Sequence, residues 1–133
     1  MKRLAVLAVV ALGLFLAVTL VALEGREVVV VRTFDAAGSA RETRTWVADA
    51  DGAAWIEAAN PERPFLRELR AKPEVELRRE GVWRKCRADV RPNPEGHARI
   101  RALLRARYGW ADRWVALLAD THASSGVRLV CER

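Results

Sequence analysis

The chain has 133 residues, of which 51% are hydrophobic and 30% are charged, and its formal net charge at pH 7 is +6. The residues after the apolar N-terminal run are enough for one compact domain, and the interspersed charges exclude a charged tail. Two cysteines and two histidines exclude a disulfide-dense scaffold, and the histidines lack the spacing of zinc ligands, so we expect no metal site. The positive charge comes without a recognised nucleic-acid-binding module, phosphate-binding loop or dinucleotide fingerprint, so we expect no nucleic-acid partner.

The first segment is a long apolar run. Residues 4–23 contain no charged side chain, and Thr19 is their only polar one. Twenty helical residues rise about 30 Å, which matches the hydrocarbon core of a bilayer. We therefore predict a transmembrane anchor over residues 1–25, in contact with lipid through residues 4–23, and a soluble domain over residues 26–133. A cleaved signal peptide is the main alternative, although Leu20 is badly placed for cleavage after Ala22. A buried core helix is the third.

The side of the membrane on which the domain lies is left open by the sequence. Lys2 and Arg3 favour a cytoplasmic N-terminus and an exported domain, whereas Arg26 weakens that bias from the other flank. Cys86 and Cys131 fit either an exported disulfide or two buried thiols. The sequence thus predicts a single-pass membrane protein without deciding its topology.

Strand patterns dominate the middle of the chain. Residues 27–34 are rich in valine and predict a buried strand. Residues 43–49 and 53–59 flank Asp51-Gly52, and residues 74–79 and 82–90 flank Glu80-Gly81, so two hairpins are expected. Between the hairpins, a short helix carries Phe65, Leu66 and Leu69 on one face and ends at Pro73.

The C-terminal third is predicted to be helical before a last strand. Asn93 is expected to cap a helix whose first residue is Pro94. Gly109 breaks that helix, a second amphipathic piece follows, and residues 127–131 form the closing strand. The predicted class is α+β, with about six mainly antiparallel strands and flanking helices.

Four segments resemble one known family. The stretch from Phe65 to Leu77 is similar to the W-x-x-N-L-x-A-N-P-x-V-x-V signature of deazaflavin-dependent nitroreductases and quinone reductases. Residues 38–41 resemble the family's S-G-x-x-R loop, residues 107–112 its Y-P-x-Y-A-D helix, and residues 127–130 its final strand. The resemblance implies a split β-barrel, the fold also seen in FMN-binding pyridoxamine-phosphate oxidases.

The resemblance also implies a cofactor, either the deazaflavin coenzyme F-420 or FMN. It maps the phosphate-bearing tail onto Arg41 and more loosely onto Asn60, Arg63 and Phe65. Arginine forks onto phosphate oxygens, and a helix N-terminus presents free N–H groups to an anion. The cofactor would carry the redox chemistry, so no catalytic side chain is predicted.

Further roles follow from the same resemblance. Trp46 is expected to shield the ring of the cofactor, and Tyr108 and Trp110 to contact the substrate. Packing in the core is an alternative role for these aromatic residues, and Trp110 also suits a membrane interface. The implied function is a membrane-anchored oxidoreductase that reduces a quinone or a nitro compound, as a homodimer or a monomer.

The chain departs from the family at several positions. Phe65 replaces the tryptophan, Glu68 replaces an asparagine, and Ala36 and Ala37 stand where basic residues are common. A loop with fewer cations holds a polyanion less tightly, and Arg44 is expected to compensate from the adjacent strand. A non-catalytic barrel that binds another ligand or a protein partner at the membrane is therefore the alternative function.

Overall fold

The computed structural model describes residues 1–133, which form four helices and seven strands. The helices are α1 (Lys2–Glu24), α2 (Pro64–Ala71), α3 (Glu95–Tyr108) and α4 (Trp110–Leu118), and the strands are β1 (Val28–Phe34), β2 (Ala40–Trp46), β3 (Ala48–Ala50), β4 (Ala53–Ala58), β5 (Glu74–Arg79), β6 (Val82–Arg91) and β7 (Ser125–Cys131). The α+β class is confirmed.

All seven strands belong to one antiparallel sheet in the order β2-β1-β5-β6-β7-β4-β3. The two outermost strands, β2 and β3, are consecutive in the chain and meet at the buried Val47. The sheet therefore curls into a half-barrel. The single strand predicted over residues 43–49 is divided at Val47, which accounts for seven strands where about six were expected.

Both predicted hairpins are present. Asp51 and Gly52 connect β3 to β4 with φ angles of 54° and 70°, and Glu80 and Gly81 connect β5 to β6 with φ angles of 51° and 79°. Positive φ at both central residues is the geometry of the two-residue turn that matches the twist of the strands. The Asp-Gly and Glu-Gly pairs thus act as turns, as the sequence indicated.

The concave face of the sheet holds the larger core. Alternate residues of the strands point inward, among them Val31, Leu77 and Leu129, and Leu66 and Leu69 of α2 pack against them from one end. Burial of an aliphatic side chain contributes about 1.5–3 kcal/mol. Helix α2 is therefore fixed to the barrel by its apolar face, and its N-terminus and the preceding loop are held in place.

The convex face is covered on one side by α3 and α4. Ile100, Leu104 and Tyr108 of α3 form a second buried cluster with Trp55 of β4. Ala22 at the end of α1 belongs to the same cluster. Helix α3 contacts β3, β4, β6 and β7, so it covers the half of the sheet that ends in β3.

Helix α3 and strands β2 and β7 do not begin where the sequence predicted, and β2 begins at Ala40. Helix α3 begins at Glu95, and Pro94 is its N-cap. Asn93 does not cap the helix, because its side-chain amide donates to the carbonyl oxygens of His122 and Ser124 at 2.8 Å and 3.3 Å. Strand β7 begins at Ser125, two residues before the predicted start.

Helix α1 is long and apolar enough to cross a membrane, a criterion that signal sequences and core helices also meet. None of its most apolar window is buried. Its last turns contact α4: the Trp114 indole N–H donates to the Thr19 hydroxyl at 3.0 Å, and the rings of Phe15 and Trp114 are 5.7 Å apart.

The two cysteines are joined. Cys86 on β6 faces Cys131 on β7 in the sheet register, and they form a disulfide. This settles the question that the sequence left open between two thiols and a bond.

Candidate functional site

The predicted cofactor-binding residues fall into two separate groups. Arg41 and Arg44 are three residues apart on β2, so they point to opposite faces of the strand. Arg41 pairs with Glu68 of α2, whereas Arg44 pairs with Glu24 at the end of α1. The structure therefore does not bring these two arginines together, and Arg44 does not strengthen the site around Arg41.

Glu68 is a buried carboxylate at the α2 end of the barrel. It accepts a hydrogen bond from the Thr33 hydroxyl at 2.6 Å and one from Nε of Arg41 at 3.0 Å. The Thr33 hydrogen bond, followed by that of Arg41, lowers the pKa of Glu68 below its ordinary value although burial opposes the shift. Glu68 thus links Thr33 of β1 and Arg41 of β2 to α2.

The loop before Arg41 also uses a carboxylate of its own. Oδ1 of Asp35 accepts the backbone N–H groups of Ala37 and Ser39 at 2.9 Å and 2.8 Å. Such N–H groups are the ones that cradle a phosphate in an anion-binding loop. In this chain they are already satisfied.

The residues at the start of α2 are more open. Arg63 is the N-cap residue, and no carboxylate pairs with its exposed side chain. Asn60 closes the preceding turn by accepting the N–H of Glu62 at 2.9 Å. Phe65 is half-buried and packs against the barrel core.

A cleft of about 500 Å³ opens at the end of β1, and the sequence analysis did not predict it. Its lining includes Phe34, Lys72, Lys85 and Val130. Three glutamates and one arginine also line it: Glu74, Glu76, Glu132 and Arg87. Nζ of Lys72 lies 5.2 Å from the centre of the Phe34 ring, within cation–π range. Neither lysine has a carboxylate within ion-pair distance. Lys72 directly precedes Pro73 in the family-like stretch, but its cleft depends on β6 and β7, which come later in the chain.

The other half of the predicted site is closed. The rings of Trp46 and Tyr108 stack at 4.3 Å between centres with an angle of 7°. Tyr108 is fully buried, and its hydroxyl donates to the carbonyl oxygen of Glu27 at 2.7 Å and accepts the N–H of Val47 at 3.1 Å. The Trp46 indole N–H donates to the carbonyl oxygen of Leu23 at 3.2 Å. Substrate contact by Tyr108 stays a prediction, and in this structure its side chain is part of the core.

The remaining predicted substrate residue, Trp110, lies apart from the cleft. It starts α4 and is 48% exposed. Helix α4 itself contacts α1. A substrate role for Trp110 likewise stays a prediction.

An ionic cluster ties the opposite end of the barrel together. Arg79 of β5 binds Glu27 at 2.5 Å and Asp49 at 2.7 Å, and Arg107 of α3 also contacts Glu27. The hydrogen bond from Arg79 lowers the pKa of Asp49, and those from Asp49 and Glu27 raise the pKa of Arg79. All four groups are thereby used in holding strands and α3 together.

A buried polar network lies under α3. The Ser124 hydroxyl donates to Glu57 at 2.9 Å and contacts Nδ1 of His97 at 2.8 Å, while Arg101 pairs with both Glu57 and Asp112. Because Ser124 is fully buried, this serine has no access to a substrate, and the network is structural. No group of three or more His, Cys, Asp or Glu residues is placed to hold a metal ion.

Solved structures with the same architecture identify the fold. A conserved hypothetical protein from Mycobacterium tuberculosis is 21% identical, with 81% of this chain and 74% of that chain covered and a TM-score of 0.60. An F420 reductase is 16% identical over 80% of this chain and 86% of its own, with a TM-score of 0.55. A FAD-binding protein from Mesorhizobium loti is 15% identical over 82% of each chain, with a TM-score of 0.54. The fold is a split β-barrel. No protein-family model and no curated protein sequence matches the chain.

The fold predicted from the family resemblance is thus confirmed. At these identities the likeness extends to the split barrel alone, and the fold is one that flavin- and F420-binding proteins share.

Proposed function

We propose that this chain is a membrane-anchored redox domain that binds a flavin-type cofactor, coenzyme F-420 or FMN, and reduces a quinone or a nitro compound. The observation that carries the proposal is the cleft that Phe34, Lys72 and Lys85 line. Its lining combines the Phe34 ring and the Val130 side chain with two lysines that have no ion-pair partner, and three glutamates share that lining. The fold in which it lies supports the same conclusion.

The residues of this cleft fit a flavin-type molecule in their chemistry. Lys72 and Lys85 suit the phosphate-bearing tail. Arg41 does not line the cleft; Glu68 engages only its Nε, and its part in holding the tail stays a prediction. Phe34 and Val130 suit a flat ring. When bound, the cofactor would supply the hydride or electrons, and these side chains would hold and orient it and exclude water. Participation of Arg44 and Trp46 stays a prediction that the cleft does not require.

The membrane anchor suits a lipid-soluble acceptor. A quinone dissolved in the bilayer and an enzyme held by residues 4–23 meet at one surface, which raises their local concentration. The proposed side is the exported one, because Lys2 and Arg3 favour a cytoplasmic N-terminus and because disulfides such as Cys86–Cys131 persist in oxidising compartments.

The first test measures the binding of FMN and of coenzyme F-420 to the full chain in detergent. Each cofactor is titrated separately, and its binding is monitored by fluorescence. We expect one of them to bind, and the double variant Lys72→Ala/Lys85→Ala to weaken that binding by tenfold or more, since hydrogen bonds to charged groups contribute about 1.5–3 kcal/mol each. Turnover is then measured as oxidation of the reduced cofactor by a menaquinone analogue and by a nitroaromatic compound.

The matched control is Arg67→Ala/Arg70→Ala, which removes two exposed positive charges from α2 outside the cleft. We expect this control to bind the cofactor as the wild type does. Equal loss of binding in both double variants would mean that the net charge of the protein, and not the cleft, determines binding. If the wild type bound neither cofactor, the proposal would be refuted.

A non-catalytic barrel is the second candidate, and two observations favour it. Asp35 satisfies loop N–H groups that a phosphate would use, and Glu68 occupies one side of Arg41. The stacked Trp46 and Tyr108 leave no opening between them. For this candidate we expect a folded protein that binds neither cofactor. A homodimer is then tested by sedimentation, and a protein partner is sought by cross-linking in membranes.

A further inference from the structure

Helix α4 carries an unusual set of exposed apolar side chains. Trp110, Leu117 and Leu118 are 48%, 81% and 52% exposed. Positions 110, 114 and 117 are on one helical face, since residues three and four apart are neighbours. The only exposed charge on α4 is that of Arg113, because Asp112 is buried and pairs with Arg101. An apolar face with one cation is typical of a helix at a lipid surface.

The contact between α4 and α1 fixes where that face lies relative to the apolar run. Trp114 touches both Phe15 and Thr19 of α1. Phe15 lies eight residues before Leu23, so at 1.5 Å per residue it is about 12 Å from the C-terminal end of the run, and Thr19 is about 6 Å from it.

These distances along α1 determine where α4 lies if α1 spans a bilayer. Were the membrane to end before Phe15, only residues 4–14 would cross it, a length of about 17 Å against a hydrocarbon core of about 30 Å. The whole run from Leu4 to Leu23 is needed, and α4 is packed against its last ten residues. The domain cannot keep these contacts and stay clear of the bilayer.

We propose that α4 is seated in the lipid surface beside α1, with Trp110, Leu117 and Leu118 in the boundary between headgroups and acyl chains and Arg113 reaching the headgroups. This inference rests on the membrane anchor of the proposed function and is independent of the cofactor. Tryptophan is favoured at this depth because its ring is apolar and its N–H is polar, and arginine extends its charge toward water and phosphate. The seating fixes the orientation of the domain on the membrane, which a flexible tether would not.

The test uses the full chain in vesicles of phosphatidylcholine and phosphatidylglycerol whose acyl chains are brominated either near the headgroup or near the bilayer centre. Bromine quenches tryptophan emission at short range. We expect quenching to be stronger with the shallow bromines, and Trp110→Phe to remove a large part of the quenchable emission. Trp83→Phe, at the start of β6 beside Arg32 and Arg78, should leave the quenchable part unchanged.

A second pair of variants tests the leucines. Leu117→Glu/Leu118→Glu should reduce the quenching of Trp110 at least twofold, whereas Val82→Glu/Val130→Glu, which changes two exposed apolar residues elsewhere, should not. All four side chains are exposed, so the fold is expected to survive, and circular dichroism checks it.

Resistance to alkaline carbonate separates the two proposals. A chain that resists extraction but shows no quenching of Trp110, or whose quenching survives Leu117→Glu/Leu118→Glu, overturns the seating of α4 and leaves the anchor in place. A wild-type chain that carbonate extracts overturns the anchor and the seating together. Neither result bears on cofactor binding in detergent.

Discussion

The two ends of strand β2 differ in what they do with the same kind of residue. At the Arg41 end, the arginine is half exposed and Glu68 engages only its Nε, so its two terminal nitrogens are free to bind an anion. At the Trp46 end, the aromatic ring is stacked on the buried Tyr108 and hydrogen-bonded to α1, and Arg44 pairs with Glu24. One strand thus contributes to a candidate binding site at one end and to the attachment of α1 at the other.

The difference shows why a family-derived set of site residues does not transfer as a unit. Successive strand residues face opposite sides, so residues 41 and 44 enter different environments. The closed end is expected to govern stability and the open end binding.

The largest expected effect is at the closed end. Tyr108→Ala should lower the free energy of unfolding by about 3–5 kcal/mol, as for other buried aromatic truncations. Tyr108→Phe keeps the ring and leaves the Val47 N–H without its partner, which should cost about 1–3 kcal/mol. Denaturant unfolding of the full chain in detergent measures both. Wild-type stability in Tyr108→Ala would mean that this end is open and would return Tyr108 to the candidate substrate residues.

The disulfide beside the cleft should have the next largest effect. Cys86→Ser/Cys131→Ser removes a link between residues 45 positions apart and should lower the free energy of unfolding by about 2–5 kcal/mol. Reductant should destabilise the wild type in a thermal melt and leave the double variant unchanged. Two free thiols in the purified chain, in a labelling assay without reductant, would contradict the bond.

Glu68 connects stability to the open end. Glu68→Gln should cost about 1–3 kcal/mol, since it weakens a buried hydrogen-bonded ion pair. The pKa of Glu68 is depressed in the folded state, so its contribution is complete above the ordinary value of 4.5 and is lost as the pH falls through the lower folded pKa.

The pH dependence of this variant is the sharper measurement. The difference in unfolding free energy between wild type and Glu68→Gln should be constant above pH 5 and shrink below it. A difference that grows toward acid pH would mean that the carboxylate is protonated in the folded protein. Cofactor binding should tighten in Glu68→Gln if Glu68 competes with phosphate for Arg41.

The smallest effect is expected at Arg44. Its ion pair with Glu24 is exposed on both sides, and such pairs contribute about 0–1 kcal/mol. Arg44→Ala, Glu24→Gln and the double variant form a cycle whose coupling energy should decrease with added salt. Loss of cofactor binding in Arg44→Ala alone would place the site at the closed end of β2.

Much of the fold is encoded locally. The two turns require positive φ, and Asp51-Gly52 and Glu80-Gly81 signal it directly. The valines of β1 and the apolar face of α2 follow from periodicity. The β2 boundary was missed because Ala40-Arg41-Glu42-Thr43 has no alternating apolar face, and this edge strand is held by backbone pairing with β1.

The site required tertiary information. Phe34, Lys72, Lys85 and Val130 form the cleft only after β1, α2, β6 and β7 come together. The partners of Arg41 and Tyr108, and the pairing of the two cysteines, likewise join residues 27 to 81 positions apart.

The sequence by itself therefore determined the apolar helix, the hairpins and the α+β class, because periodicity, turn conformation and hydrophobicity are properties of neighbouring residues. The split β-barrel followed from the family resemblance. Only the tertiary structure decided which arginine is free, which aromatic ring is buried and which helix lies beside α1. These outcomes depend on contacts between distant segments, and the free energy of a charged or aromatic side chain depends on its partners and its exposure to water.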